Sequence, residues 1–157
     1  MDNNPPGWLD ADTFATVVHS TPLISIDLLV ENEQGEYLLG LRNNRPAQHY
    51  WFVPGGRVKK NETLDAAFLR LTTEELGIRL ERNQAVFKGV YEHFYSDSVF
   101  GEQPSTHYIV LAYQLVLPAE SVQLSVQQHN NTQWLRTNAI LANPNVHQYT
   151  KLYFNGL

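Results

Sequence analysis

Residues 55–78 read G-G-R-V-K-K-N-E-T-L-D-A-A-F-L-R-L-T-T-E-E-L-G-I, a pair of glycines feeding a carboxylate-bearing helix. Gly55 and Gly56 can take backbone angles closed to other residues and leave their amides and carbonyls uncovered, so a ligand can approach the main chain closely. Such a surface suits phosphate or a metal. Thr63 is placed to cap a helix in which Leu64, Ala67, Phe68, Leu71 and Leu76 recur at helical spacing, and Gly77 supplies the stop. The helix is expected over 63–76. At about 100° per residue, Leu71, Glu74 and Glu75 share one arc near its end. Two carboxylates on one arc suit a hard cation such as Mg²⁺, which prefers oxygen ligands.

Upstream, L-I-S-I-D-L-L-V-E over 23–31 predicts a strand with Ile24, Ile26, Leu28 and Val30 on one face and Ser25, Asp27 and Leu29 on the other. An acid inside an apolar strand is either paired with an arginine or turned toward a site, and the pattern leaves both open for Asp27. Residues 33–36 form a turn, and Tyr37 to Arg42 is the returning strand of a hairpin. A loop over 42–50 then leads to the short extended Trp51-Phe52-Val53 and a Pro54-Gly55-Gly56 turn. Between Tyr37 and Asn61 there is no acid, whereas Arg42, Arg45, Arg57, Lys59 and Lys60 are basic. That reversal would steer an anionic ligand toward the glycines, with a solvated basic loop as the plain alternative. Farther back, Phe14, Val17 and Val18 give a short helix over 10–19, preceded by a flexible arm, residues 1–9, whose Pro-Pro-Gly is not helical.

Downstream of the central helix, 85–95 and 106–117 are β-branched and aromatic enough to be two strands of a long hairpin. His93 and Tyr95 lie near its loop end on one strand, with Thr106, His107 and Tyr108 on the other. A histidine in a mixed strand is more often packed than functional, although its near-neutral titration makes it usable. Residues 125–132, S-V-Q-Q-H-N-N-T, read as a polar loop before a short strand, Gln133-Trp134-Leu135, and two helices near 137–142 and 145–154 close the chain. A helix flanked by strands, two hairpins and late helices is α+β or a three-layer sandwich.

The chain has 157 residues, 43% hydrophobic and 17% charged, enough for one domain spanning 1–157 with a sizeable core. It has no cysteine, which excludes disulfides, thiol catalysis and thiolate metal sites. The net charge of −5 argues against nucleic-acid binding. No apolar stretch approaches the roughly 20 residues of a membrane span, and the N-terminus lacks a basic region followed by an apolar run. A cytoplasmic location without membrane partners is expected.

The spacing Gly56, five residues, Glu62, seven residues, Arg70, then Glu74-Glu75-Leu76-Gly77-Ile78 resembles the signature of the Nudix diphosphate hydrolases. That pattern has glutamate after the arginine where this chain has Leu71, and an aliphatic residue where it has Thr72. The runs S-T-P-L-I-S-I-D, N-R-P-A-Q-H-Y-W-F-V-P-G-G-R-V, T-H-Y-I-V-L and Q-Q-H extend the resemblance over about 12–157, to the GDP-mannose mannosyl hydrolase branch of that family. The branch also lacks that glutamate. The resemblance implies an α/β/α Nudix sandwich with a mixed sheet, a homodimer, and Mg²⁺-dependent hydrolysis of GDP-mannose and GDP-glucose to GDP and free hexose, with Mn²⁺ able to substitute. It further implies metal ligation by Gly55, Glu75 and Gln128, and His129 as general base. Arg42 and Arg57 would contact the diphosphate, Tyr108 a phosphate or product, and Asp27 and His93 the hexose or the transition-state charge. Arg70 completes the implied catalytic set, paired with Glu62 to fix the glycines against the helix. Glu74 either joins the metal or only solvates the helix. Two other classes stay open: an ordinary Nudix pyrophosphohydrolase cutting P–O in a nucleotide sugar or nucleoside triphosphate, and a non-catalytic nucleotide-binding module.

Overall fold

A computed structural model of the protein describes residues 3–123 and 129–156. Asp10 accepts a hydrogen bond from the Thr13 amide at 2.8 Å and starts helix α1, Ala11–Ser20. Strand β1, Leu23–Glu31, follows, and then β2, Glu36–Arg42. The pair β3, Trp51–Phe52, and β4, Gly55–Arg57, leads to helix α2, Leu64–Leu76. Thr63 caps α2 by accepting from the Ala66 amide at 3.1 Å, and Gly77 ends it in the left-handed conformation, φ 69°. Strands β5, Val86–Tyr95, and β6, Thr106–Val116, form the expected hairpin. Strand β7, His129–Arg136, and helices α3, Thr137–Ala142, and α4, Gln148–Leu152, complete the order.

The sheet runs β3-β2-β1-β6-β5, with β4 added to β1 and β7 added to β2. Only β1 and β6, among the described pairs, are parallel, so the sheet is mixed. Each face carries its own core. On one, Ile26, Leu28, Val30 and Leu38 pack against Phe68 and Leu71 of α2; on the other, Leu29, Leu39, Val110 and Ala112 pack against Ile140, Tyr153 and Phe154. Each fully buried leucine or phenylalanine is worth roughly 1.5–3 kcal/mol. Helices on both faces make this the expected α/β/α sandwich. No helix among the described residues is long and apolar enough to cross a membrane.

The sheet divides where the glycines sit. Strand β1 pairs with β2 at Glu31–Tyr37 but with β4 at Ser25–Arg57, Ile26–Gly56 and Asp27–Gly55. The chain therefore crosses from β2 to β1 through Val53 and Pro54, and a cleft opens in the gap. This corrects the expectation of a turn over 54–56: the glycines form a strand because β1 offers them a partner. Two further boundaries move for similar reasons. Residues 129–132 are not loop but the start of β7, paired to β2, and residues 124–128 lie outside the described part. The last helix begins at Gln148 because 145–147 is extended beside β3: Trp51 donates to the Asn145 carbonyl at 2.9 Å and accepts from His147 at 3.1 Å.

At Gly56 a Cβ atom would collide with Cδ2 of Leu71, which is 2% exposed and held in the core. Gly56→Ala is expected to cost about 1–3 kcal/mol through overpacking, and markedly less in a Leu71→Ala background. Chemical denaturation of the two single variants and the double variant measures this, and additive losses would show that the contact does not limit residue 56.

Candidate active site

The cleft is lined by Ser25 and Asp27 of β1, Arg42 of β2, Phe52 of β3, Gly55, Gly56 and Arg57 of β4, His93 and Tyr95 of β5, and Tyr108 of β6. Five residues singled out from the sequence thus meet there with Gly55: Asp27, Arg42, Arg57, His93 and Tyr108. The periodicity of β4 explains what Gly55 offers. Leu28 donates to the Pro54 carbonyl and Val58 to the Ile24 carbonyl, both at 2.8 Å, so Gly55 and Arg57, of opposite parity, turn their main-chain groups away from β1. A side chain at Gly55 would strike the Asp27 carboxylate and the Ile26 carbonyl.

Arg70 secures this edge. Its Nε donates to Glu62 Oε2 at 2.7 Å, its Nη2 to Glu62 Oε1 at 2.9 Å and to the Arg57 carbonyl at 2.8 Å, and its Nη1 to Glu74 Oε2 at 3.1 Å. The expected Glu62–Arg70 pair is therefore present, and Arg70 touches the cleft only through the strand it holds. Glu74 is half-exposed and engaged with Arg70, whereas Glu75 is 4% exposed.

The two halves of the cleft differ in charge. Arg42 donates from Nε to the Pro46 carbonyl at 2.9 Å and lies 5.9 Å from the Phe52 ring centre, and Arg57 lies 4.7 Å over the Phe14 ring. Burial raises the pKa of Tyr108, and the charges of Arg42 and Arg57, which line the same cleft, oppose the rise. Arg45, the other arginine of the basic run, lies 3.7 Å from Asp97.

Asp27, in the same cleft, is buried and accepts a hydrogen bond from the Tyr153 hydroxyl. Burial raises its pKa to about 7, opposed by the Tyr153 hydrogen bond and by Arg42, while the charge of Glu75 adds to the rise. Glu75 is a buried residue of α2, which packs on the opposite face of the sheet from Tyr153. His93 is 2% exposed and stacks on Tyr149, ring centres 4.5 Å apart and planes within 6°. Burial, then the charge of His147, lowers its pKa to about 4. His147 is lowered to about 4 as well, by burial and then by Arg42. It caps α4 by accepting from the Tyr149 amide at 3.1 Å.

Of the remaining expected residues, His129 opens β7 with its main chain in register with Arg42. Gln128 lies outside the described residues. Sequence reasoning placed Tyr95 beside His93 but gave it no role, and it missed His147, Tyr149 and Tyr153. The last three had a signal, H-x-Y-x-x-x-Y over 147–153, but it reads equally as the packing face of a helix.

The donors at β4 are oxygens: the Asp27 carboxylate and the outward carbonyl of Gly55, with the buried Glu75 carboxylate on α2. Among the described residues no three His, Cys, Asp or Glu side chains gather to hold a metal. Few protein oxygens beside a pair of arginines fit a hard cation that keeps water and phosphate ligands, and do not fit a closed nitrogen or sulfur site.

Comparison with known proteins agrees with this architecture. The family model described as NUDIX domain matches residues 21–155. A curated relative, the low-salt glycan biosynthesis protein Agl8 of Haloferax volcanii, is 38% identical over 125 residues, which is 80% of this chain and 78% of that one. The MutT protein from Methanosarcina mazei Go1 superposes with a TM-score of 0.66 at 27% identity, over 86% of this chain and 92% of its own. The MutT NUDIX hydrolase from Burkholderia pseudomallei gives 0.68 at 25%, over 86% and 97%. With the family model spanning most of its length and the sheet-and-helix architecture shared with these structures, the chain belongs to the NUDIX family and is a Nudix hydrolase.

Proposed function

We propose that the protein hydrolyses GDP-mannose and GDP-glucose to GDP and free hexose, water attacking the anomeric carbon with inversion. The observation that carries this reading is Leu71. Where the family signature has a carboxylate, the side chain is apolar, 2% exposed and packed on Gly56. Attack at phosphorus usually calls for extra cations and the carboxylates that hold them; α2 has a single buried one, Glu75. Attack at an anomeric carbon passes through an oxocarbenium-like state, for which a buried carboxylate such as Asp27 is useful, and GDP is already a weakly basic leaving group. Agl8, named for glycan biosynthesis, is a relative in keeping with a sugar-bearing substrate.

In this mechanism Arg42, Arg57 and Tyr108 hold the diphosphate and stabilise the charge it gains as the bond to the sugar breaks. Its electron pair passes to the β-phosphate oxygen. Asp27 and His93 face the hexose, Asp27 countering the positive charge that develops at the ring. His129 takes the proton of the attacking water, as a neutral imidazole does near neutral pH. A divalent cation, Mg²⁺ or in its place Mn²⁺, would be held by Glu75, the Gly55 carbonyl and Gln128, and supplies further neutralisation of the departing diphosphate. Arg70 and Glu62 keep β4 in place. The working form is a cytoplasmic homodimer.

Three outcomes are expected. Hydrolysis of GDP-mannose in ¹⁸O-labelled water should leave the label in free mannose and none in GDP; label in GMP or mannose 1-phosphate would assign the protein to P–O cleavage instead. Chelation of divalent cations should abolish turnover, and added Mg²⁺ or Mn²⁺ should restore it; turnover that persists in chelator would remove the cation from the scheme. His129→Gln should lower turnover by about 10²-fold or more with modest change in substrate binding, and unchanged turnover near neutral pH would take histidine out of the base role.

A further inference from the structure

Asp27 is held by a residue that stands outside the signature and outside the cleft wall. Tyr153, directly after α4, is 3% exposed, and its hydroxyl donates to Asp27 Oδ2. The same hydroxyl lies 3.3 Å from Nε2 of His93, and the Tyr95 hydroxyl lies 3.3 Å from Nδ1 of the same ring. These contacts fix one another's direction. A hydroxyl has one proton, and an ionised carboxylate only accepts. With Asp27 ionised, the form in which it serves the proposed reaction, the Tyr153 proton is given to Asp27 and the Tyr153 oxygen accepts from His93. His93 therefore carries hydrogen on Nε2, and its Nδ1 accepts from Tyr95. Four side chains are aligned in one sense, Tyr95 to His93 to Tyr153 to Asp27.

The surroundings leave this chain little freedom. The His93 ring stacks on Tyr149, whose hydroxyl donates to the Phe94 carbonyl at 2.9 Å and accepts from the Phe94 amide at 3.1 Å. The Tyr153 ring meets Tyr91 edge to face at 4.7 Å. Tyr149 and Tyr153 are one helical turn apart, so a single short segment grips β5 through its main chain and β1 through Asp27. With Oδ2 committed to Tyr153, Oδ1 is the oxygen beside Gly55, where the absent side chain leaves room.

We infer that Tyr153 is a positioning residue for the reaction: its one hydroxyl orients the Asp27 carboxylate and the His93 imidazole together, so that Asp27 presents Oδ1 to the cleft. The inference rests on the reading above, in which Asp27 faces the reacting sugar. It assigns the C-terminal helical segment a part in turnover that packing alone would not give it.

Tyr153→Phe keeps the ring and its contacts and deletes only the hydroxyl. The expected result is a fall in kcat of about 10-fold or more, since small misplacements of a reacting group are costly, with KM changed by less than about twofold. In an Asp27→Asn background the same substitution should add nearly nothing, because the two act as a unit. An unchanged kcat, or losses that multiply in the double variant, would overturn the assignment. Were the wild-type label found in GMP, the proposed reaction would fall, and the coupling of Tyr153 to Asp27 would still be read on the reaction actually catalysed. Should Tyr153→Phe fold poorly, the ¹⁵N shifts of His93 in the wild-type protein decide. Hydrogen on Nε2 supports the chain of contacts, and hydrogen on Nδ1 would break it.

Discussion

The cleft depends on one guanidinium. Arg70 spends its donors on Glu62, Glu74 and the carbonyl of Arg57, while Glu62 Oε1 also accepts the Lys59 amide at 3.0 Å. The connection between β4 and α2 is thereby closed at both ends, from the strand through Arg57 and from the helix through Arg70 itself. The charges respond accordingly. The hydrogen bond from Arg70 is the main reason that the Glu62 carboxyl titrates below its usual range, and the same bond from Glu62 raises Arg70. Because the pair is only partly exposed and bidentate, it is a better anchor than an ordinary surface ion pair. Were it loose, the outward carbonyl of Gly55, the reach of Arg57 and the contact of Gly56 with Leu71 would lose their common reference.

That anchor also explains why so much was legible in the residues. The cap at Thr63, the periodic apolar face of α2, the stop at Gly77 and the Glu62–Arg70 pair all lie within a short span, where spacing translates directly into geometry. What was not legible is what partners impose from afar. Two glycines after a proline carry the marks of a turn, yet β1 makes them a strand. His129 to Thr132 are polar enough for a loop, yet β2 pairs with them. Asp27 and Tyr153 are 126 positions apart and meet only because α4 packs on the face of the sheet that Asp27 points to. Periodicity describes an element's own faces and carries no information about which distant hydroxyl will meet a buried acid. The two roles left open for Asp27 resolve the same way: the residue faces the site, its hydrogen bond comes from a tyrosine, and Arg42 acts on it through charge.

Thr72 illustrates a smaller departure with a local cause. In place of an aliphatic residue it is fully buried, and its hydroxyl accepts from the Leu80 amide at 3.1 Å and donates to the Leu69 carbonyl at 3.1 Å. A buried hydroxyl with both roles filled carries little penalty. The exchange ties the end of α2 to the segment leading into β5 and leaves the cleft untouched. Leu71, one residue earlier on the helix, has the opposite significance, because its side chain takes the direction in which a carboxylate would have met the edge of β4.

The proposed chemistry at carbon makes physical use of the distribution of charge left by that change. Around Arg42, Arg57 and Tyr108 the cleft is cationic and suited to an anion that gains charge as it leaves. With them are a buried histidine, His93, held neutral, and tyrosines held protonated, with one carboxylate among them. A carboxylate in such surroundings is expensive to keep ionised, and the rise of its pKa to about 7 measures that expense. A positive charge appearing next to it relieves the penalty, so the interaction is strongest in a transition state that carries such a charge and weak in the neutral sugar that precedes it. Differential stabilisation of that kind raises turnover instead of ground-state binding. A pentacoordinate phosphorus, negative on all its oxygens, would gain nothing from Asp27 and would be repelled by it. The arginines serve either reaction equally; the proposed reaction at carbon is the one that gives the buried acid a task.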